Sequence, residues 1–200
     1  MTLAQVKEFN NLYEVERATT PTTRVPADKL RYSLIKEEFE ELLEAIENFD
    51  LVEIADALGD IQYVTHGAID VFNLEEVVNE LPEHNNLPQY SNGIGIADAY
   101  AQETHLTNLK DAILTNNVRW AARILKDILR DVVRSANYFG IDLEYVVSAI
   151  HKSNLTKLGE NGEVLRRPED NKVIKGQNYM PPTGDIRAYL YDGVKDADLL

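Results

Sequence analysis

Ten carboxylates lie between Glu37 and Asp60, and no Lys or Arg follows Lys36 until Lys110. The acids fall at helical spacings: Glu37-Glu38-Phe39-Glu40-Glu41, then Glu53-Ile54-Ala55-Asp56, then Asp60. A helix turns about 100° per residue, which sorts them by side. Ile35, Phe39, Leu42, Leu43 and Ile46 make an apolar stripe, and Glu40, Glu44 and Glu47 point away from it as a solvated face. Glu38 and Glu41 flank the stripe beside Leu34 and Ala45, where a side chain is partly buried. Glu53, Asp56 and Asp60 form a matching strip beside Ile54, Leu58, Ile61 and Val64. Carboxylates facing one another across two helices repel, and one must take up a proton unless a cation sits between them. Oxygen-only ligands on rigid helices favour Mg²⁺, with Mn²⁺ open as well, and such ions keep waters and meet substrate phosphates. The plainer alternative is a solvated acidic face, with Glu53 spent on a helix cap.

Bases that complement these acids come late in the chain. Lys152, Asn154 and Lys157 stand in HKSNLTK, and Lys172, Lys175 and Tyr179 follow. Ammonium groups are mobile point charges suited to phosphate, and Asn can bond a sugar or a base. A chain of net charge −14 also needs surface lysines for solubility alone. Arg31, one turn before the acidic motif, can reach a phosphate or pair with Glu38. His66, His84, His105 and His151 show no ligand spacing, and neither a nucleophile triad nor a phosphate-binding Gly loop is present.

The elements that must hold these groups are helices. Apolar residues at Leu3, Val6, Phe9, Leu12 and Tyr13 predict a helix over Thr2 to Arg17, followed by the loop ATTPTTRVP. Asp28 is expected to cap a second helix ending near Phe49, and Asp50 with Glu53 forms a capping box opening a third that ends near Phe72. A short loop between them turns the two acidic strips face to face. LEEVVNEL is a further short helix, and PEHNNLPQYSNGIG reads as a surface loop. Two or three helices follow from about Ile96 to Leu158, punctuated by Gly140. Residues 1–158 therefore form a helical bundle, and 159–200 an irregular basic tail with a short β-turn that contributes to the site and frays after Ala188.

An internal echo joins Asp56–Val78 to Ile128–Val147 at an offset of 69. In that register Glu38, Glu41, Glu53, Asp56 and Asp60 fall on Thr107, Lys110, Ala122, Leu125 and Leu129, so a second unit over about 96–158 keeps the helical rhythm without the acids. Two unrelated helix–turn–helix segments would give the same pattern.

The bulk numbers exclude several roles. The absence of Cys removes disulfides and thiolate metal sites and points to a reducing, cytoplasmic setting. The opening MTLAQVKEFNNLYEVE is amphipathic rather than a leader, and no apolar run reaches the roughly 18 residues of a membrane span. A charge of −14 opposes binding to duplex nucleic acid but not to a small anion that arrives with a cation.

Glu37-Glu38-Phe39-Glu40-Glu41 and Glu53-Ile54-Ala55-Asp56 resemble the E-E-x-x-E and E-x-x-D motifs of the all-α nucleoside triphosphate pyrophosphohydrolases. These include MazG-like proteins, dimeric dUTPases and phosphoribosyl-ATP pyrophosphohydrolases, some of them phage-encoded. VKEFNNLYEV, LRYSLIKEEFEELLEAI, DALGDIQYVTHGAIDVFNL and GIDLEYVVSAIHKSNLTKL extend the resemblance over most of residues 1–85 and 140–182. MazG-type chains more often read E-E-L-G-D, which laid on Asp56–Asp60 puts Ala57 where a ligand Glu is expected. Either Glu53 and Asp56 or Asp56 and Asp60 then complete the site. The resemblance implies a MazG-like bundle on a four-helix core, Mg²⁺ dependence, cleavage between the α- and β-phosphates of a nucleotide, and assembly as a dimer or tetramer. Glu37, or whichever of Glu38 and Glu41 is less tied to metal, is the candidate base; Glu38, Glu41, Glu53, Asp56 and Asp60 are the candidate ligands. The contrasting reading is a non-catalytic relative serving as a nucleotide sensor or helical assembly module.

Overall fold

The third helix decides the architecture, because Glu53, Asp56, Asp60 and Asp70 are its only charged residues in 21 and it can be buried on nearly every other side. The computed structural model describes residues 2–82 and 94–192. Among them are α1 (Thr2–Leu12), α2 (Asp28–Glu47), α3 (Leu51–Val71), α4 (Glu75–Glu80), α5 (Ala99–Leu114), α6 (Val118–Phe139), α7 (Leu143–Asn154) and α8 (Thr183–Asp192), with one 3₁₀ turn at Gly95–Ala97. The described residues hold no strand, only an isolated bridge between Arg166 and Val173, so the all-α expectation is met. Central α3 packs against α1, α2, α6, α7 and α8. Ile35, Phe39 and Leu42 from α2 meet Leu58 and Ile61 from α3 in full burial, each side chain contributing roughly 1.5–3 kcal/mol. No helix among the described residues is long and apolar enough to cross a membrane.

The turn between α2 and α3 explains how the acidic strips come to face each other. Phe49 takes φ 55°, Asp50 N donates to Ala45 O, and the Asp50 carboxylate then accepts from Val52 N and Glu53 N to open α3. The α5–α6 turn repeats this: Asn116 takes φ 50°, Asn117 N donates to Ala112 O, and the Asn117 side chain caps Trp120 N. After α3, Asn73 takes φ 55° and Leu74 N donates to Ile69 O; after α6, Gly140 takes φ 69° and Ile141 N donates to Ala136 O. Asn116 follows Phe49 by 67 residues, as Gly140 follows Asn73. An offset of 67 lays Glu38, Asp56 and Asp60 on His105, Arg123 and Asp127.

Other boundaries differ from expectation. α1 stops at Leu12, where Val15 N returns to Asn10 O and Glu14 sits at φ 49°. Asp28 is not the cap of α2: Ala27 holds that position with no side-chain bond, and the Asp28 carboxylate accepts from Lys29 N instead. The C-terminal region is not wholly irregular, since α8 docks through buried Ile186 and through Tyr189 stacked on Tyr145 at 4.3 Å. Nor is the tail basic in sum, with six Lys or Arg against eight Asp or Glu over 159–200. His84, the rest of 83–93 and residues 193–200 lie outside the described residues.

Candidate active site

Two close approaches build the site. A Cβ on Gly59 would stand 2.4 Å from Ile150 Cδ1 and 2.7 Å from Val146 Cγ1, so only glycine lets α7 pack this near α3. That crossing brings Asn154 and Lys157, at and beyond the end of α7, over the acidic strip. The second approach is made by the tail. Arg166 donates to the carbonyls of Tyr13, Glu14 and Asn171, clipping the tail to the end of α1. The turn closed by Arg166 and Val173 then delivers Lys172 and Lys175.

The result is a cavity of about 640 Å³ whose lining includes Glu37, Glu38, Glu41, Asp56, Asp60 and Lys157. Arg31, Tyr63, Asn154, Lys172, Lys175 and Tyr179 also line it. The acidic stretch therefore has cationic neighbours after all, the first of them 97 residues beyond Asp60. Lys172 Nζ lies 2.5 Å from Glu37 Oε2, and Lys175 Nζ stands 4.6 Å from the centre of the Tyr179 ring.

Burial and mutual repulsion dominate the electrostatics. Burial, then the Asp60 and Glu41 charges, push the Glu38 carboxyl well above the carboxylate range, against the pull of Lys172 and Lys157. Asp56 is raised by burial and by Asp60, Glu53 and Glu41. Asp60 is raised by burial, with Lys157 the largest opposing charge. Burial also raises Glu41, which is exposed to solvent at the mouth. Lys157 is lowered by burial and by the neighbouring Lys175 and Lys172. One oxygen, Asp56 Oδ1, is buried with no hydrogen-bond partner. Among the described residues no three His, Asp or Glu side chains are drawn close enough together to ligate one ion as they stand.

Two candidates fall elsewhere. Glu53 is exposed and outside the lining, acting on Asp56 and Glu41 only through its charge. Lys152 is exposed on the opposite side of α7, in a separate groove with Asp142, Glu144, Tyr145 and Asp185. Two residues before Asn154 means about 200° around the helix, so the two cannot share a face. Arg31 meets no carboxylate among the described residues: its guanidinium lies against Gly67, and burial with nearby Arg166 lowers its pKa to about 10. Sequence reasoning missed Tyr63, although its place one turn beyond Asp60 on the same strip was a usable signal. Nothing in the sequence marked Arg166.

Residues 6–85, which hold most of α1, all of α2 to α4 and both acidic strips, match the family model described as phosphoribosyl-ATP pyrophosphohydrolase. That match covers 80 of the 200 residues. The resemblance read from the two motifs is thus borne out for the part that carries them. An uncharacterized protein of Acanthamoeba polyphaga mimivirus is 30% identical over 165 residues, 74% of this chain. The chain spans 66% of that relative's length. The crystal structure of a proposed NTP pyrophosphohydrolase from Exiguobacterium sp. 255-15 is 18% identical, with 97% of this chain and 96% of that one covered at a TM-score of 0.47. Within residues 6–85, α2 and α3 supply every cavity carboxylate considered above, and the lysines come from outside that segment.

Proposed function

We propose that this chain hydrolyses a nucleoside triphosphate or related nucleotide between its α- and β-phosphates, releasing the monophosphate and pyrophosphate, with Mg²⁺ or Mn²⁺ as cofactor. One observation carries the reading: Glu38, Asp56 and Asp60 share a cavity with Lys157, Lys172 and Lys175, and Asp56 Oδ1 is buried there without a partner. The donors are oxygen only and outnumber the lysines, which suits a hard divalent cation that Glu38, Asp56 and Asp60 would hold once drawn together, with Glu41 at the mouth. When bound, such a cation would neutralise phosphate charge and make a nearby water easier to deprotonate.

The remaining work falls to side chains. Lys157, Lys172 and Lys175 offer point charges to the phosphate oxygens, and charge building on the departing pyrophosphate strengthens that contact. Glu37, steadied through Oε2 by Lys172, takes a proton from the attacking water. Arg31 serves an anionic group of the nucleotide farther along the cavity, about two helical turns from Glu38. A volume of about 640 Å³ suits a nucleotide-sized ligand. We take residues 1–158 as the helical bundle, its second hairpin a copy without a cation site, and 159–200 as the segment that completes the nucleotide site.

The test is pyrophosphate release from a panel of ribo- and deoxynucleotides and phosphoribosyl-ATP with Mg²⁺. Wild type is expected to release it from at least one, and Glu38→Gln and Glu41→Gln to lose that activity. Binding without release by wild type would overturn catalysis in favour of a sensor. Light scattering of the same samples tests self-association as a dimer or tetramer.

A further inference from the structure

The cavity extends well past the end that gathers the carboxylates and lysines. Its wall on α3 runs from Asp60 through Tyr63 and Val64 to Gly67, about 10 Å farther along the helix axis. Val6 and Phe9 from α1, with Leu30 and Leu34 from α2, line this extension with apolar surface. Among them α1 places one amide, Asn10, which lines the cavity and is only 1% exposed.

The orientation of that amide is set from behind. Asn10 Nδ2 donates to Asp70 Oδ2 at 2.7 Å, and Arg17 Nε stands 3.1 Å from the same oxygen in an ion pair. Asp70 is no part of the lining, so the nitrogen points away from the cavity and Oδ1 is the polar atom left to face it. No donor among the described residues meets that oxygen. Turning the carboxamide over would set its oxygen against a carboxylate oxygen, so the amide is locked. The backbone is held as well, Asn10 O accepting from Val15 N at 2.8 Å. The result is a fixed acceptor in an apolar wall, opposite in polarity to Arg31, which can only donate.

We infer that Asn10 is a specificity-determining residue that accepts a hydrogen bond from an exocyclic amine of the nucleobase, with Asp70 the positioning residue that fixes its acceptor. The inference rests on the nucleotide-site reading above. With the phosphates among Lys157, Lys172 and Lys175, the sugar and base extend toward the apolar end, whose lining suits a flat ring. An exocyclic group is the part of a base that projects farthest from that ring. An amine there donates to Oδ1. A carbonyl oxygen in its place meets a second oxygen, and two buried acceptors are left unpaired. A site built around a hydrogen bond rejects the analogue that cannot make it far better than an apolar pocket rejects a change of size. The site therefore prefers adenine to hypoxanthine and cytosine to uracil.

The test is the ratio of kcat/KM within two pairs, ATP against inosine triphosphate and CTP against UTP, in the sugar series that wild type turns over. Wild type should favour the amino member of the pair it uses by about tenfold, the loss expected for one hydrogen bond. Asn10→Leu, close in volume, should bring that ratio to within about twofold of unity. Asp70→Asn, whose own amide can present either end, unlocks Asn10 and should lower the ratio about threefold or more. A merely structural tie between α1 and α3 would weaken activity toward both members alike and leave the ratio where it was. Melting curves show which variants fold, and the wild-type ratio decides even if neither does. An oxo member used as well as the amino member by wild type, or an unchanged ratio in folded Asn10→Leu, overturns the inference. If wild type releases no pyrophosphate, catalysis fails separately, and calorimetric affinities for the same pairs supply the ratio. If no nucleotide binds, both readings fall.

Discussion

Lys172 Nζ sits 2.5 Å from Glu37 Oε2, tying the tail to the acidic helix across 135 residues of sequence. Both side chains are partly exposed, so the pair adds under about 1 kcal/mol to stability. Its importance is local: it steadies the proposed base and keeps an ammonium beside the phosphates. Lys172→Met is expected to leave the melting temperature nearly unchanged while kcat/KM falls about 10- to 100-fold, an oxyanion-type loss. Steady-state pyrophosphate release alongside thermal melts checks both halves.

Asp56 shows the opposite balance. Its carboxylate is buried with Oδ1 unpartnered, an arrangement that costs the metal-free fold. Asp56→Asn should therefore raise stability in chelator by about 1–2 kcal/mol while abolishing both activity and the rise in melting temperature that Mg²⁺ or Mn²⁺ gives wild type. Equal stability gains from metal in wild type and variant would contradict the assignment of Asp56.

At Gly59 a side chain has no room. Gly59→Ala places a methyl 2.4 Å from Ile150 Cδ1 and is expected to cost about 1–3 kcal/mol by overpacking. Because Ile150 is the nearest obstacle, Ile150→Val in the same chain should recover part of the loss. Urea denaturation of the two single variants and the double variant measures the coupling.

Lys152 and Lys157 separate face from sequence proximity. Lys152→Ala should keep kcat/KM within about twofold, as for an exposed substitution away from the site. Lys157→Ala removes a half-buried cavity charge and should lower kcat/KM at least about tenfold. Parallel assays of the two variants suffice.

Stability at acid pH reports the second hairpin. Burial pushes the Asp131 carboxyl up, but the His105 hydrogen bond and the Arg130 guanidinium outweigh it and hold the group below the ordinary carboxylate range. A carboxyl with a depressed folded pKa stabilises above its unfolded value near about 3.9, and that stability is lost as pH falls through the folded value. Melting temperatures should fall from about pH 5 downward, and Asp131→Asn should flatten part of that fall while costing about 1–3 kcal/mol at neutral pH. An unchanged acid limb in the variant would count against the cluster.

The helical frame was legible because the 3.6-residue pattern of α2 and α3 is unbroken and Asp50 is an unambiguous cap. The same periodicity located Glu38, Glu41, Asp56 and Asp60 on facing strips, and the cavity lines them up on adjoining walls. What sequence could not carry was orientation between distant segments. Which face of α7 looks inward depends on how near Gly59 lets it pack, so Lys152 and Lys157 looked equivalent. α8 is weakly patterned on its own and owes its helix to docking by Ile186 and Tyr189. The tail's path depends on Arg166 finding two carbonyls at the end of α1, which no local pattern encodes.

The acids of α2 and α3 are made well before Lys157, Lys172 and Lys175. Until those final segments dock, the hairpin must close with like charges opposed and nothing to quiet them, so electrostatic repulsion resists one of the first contacts the protein can form. Added salt shortens the reach of that repulsion, to about 3 Å at molar ionic strength. Refolding of the full chain should accordingly quicken as ionic strength rises, and a chain cut before residue 157 should show the steeper dependence.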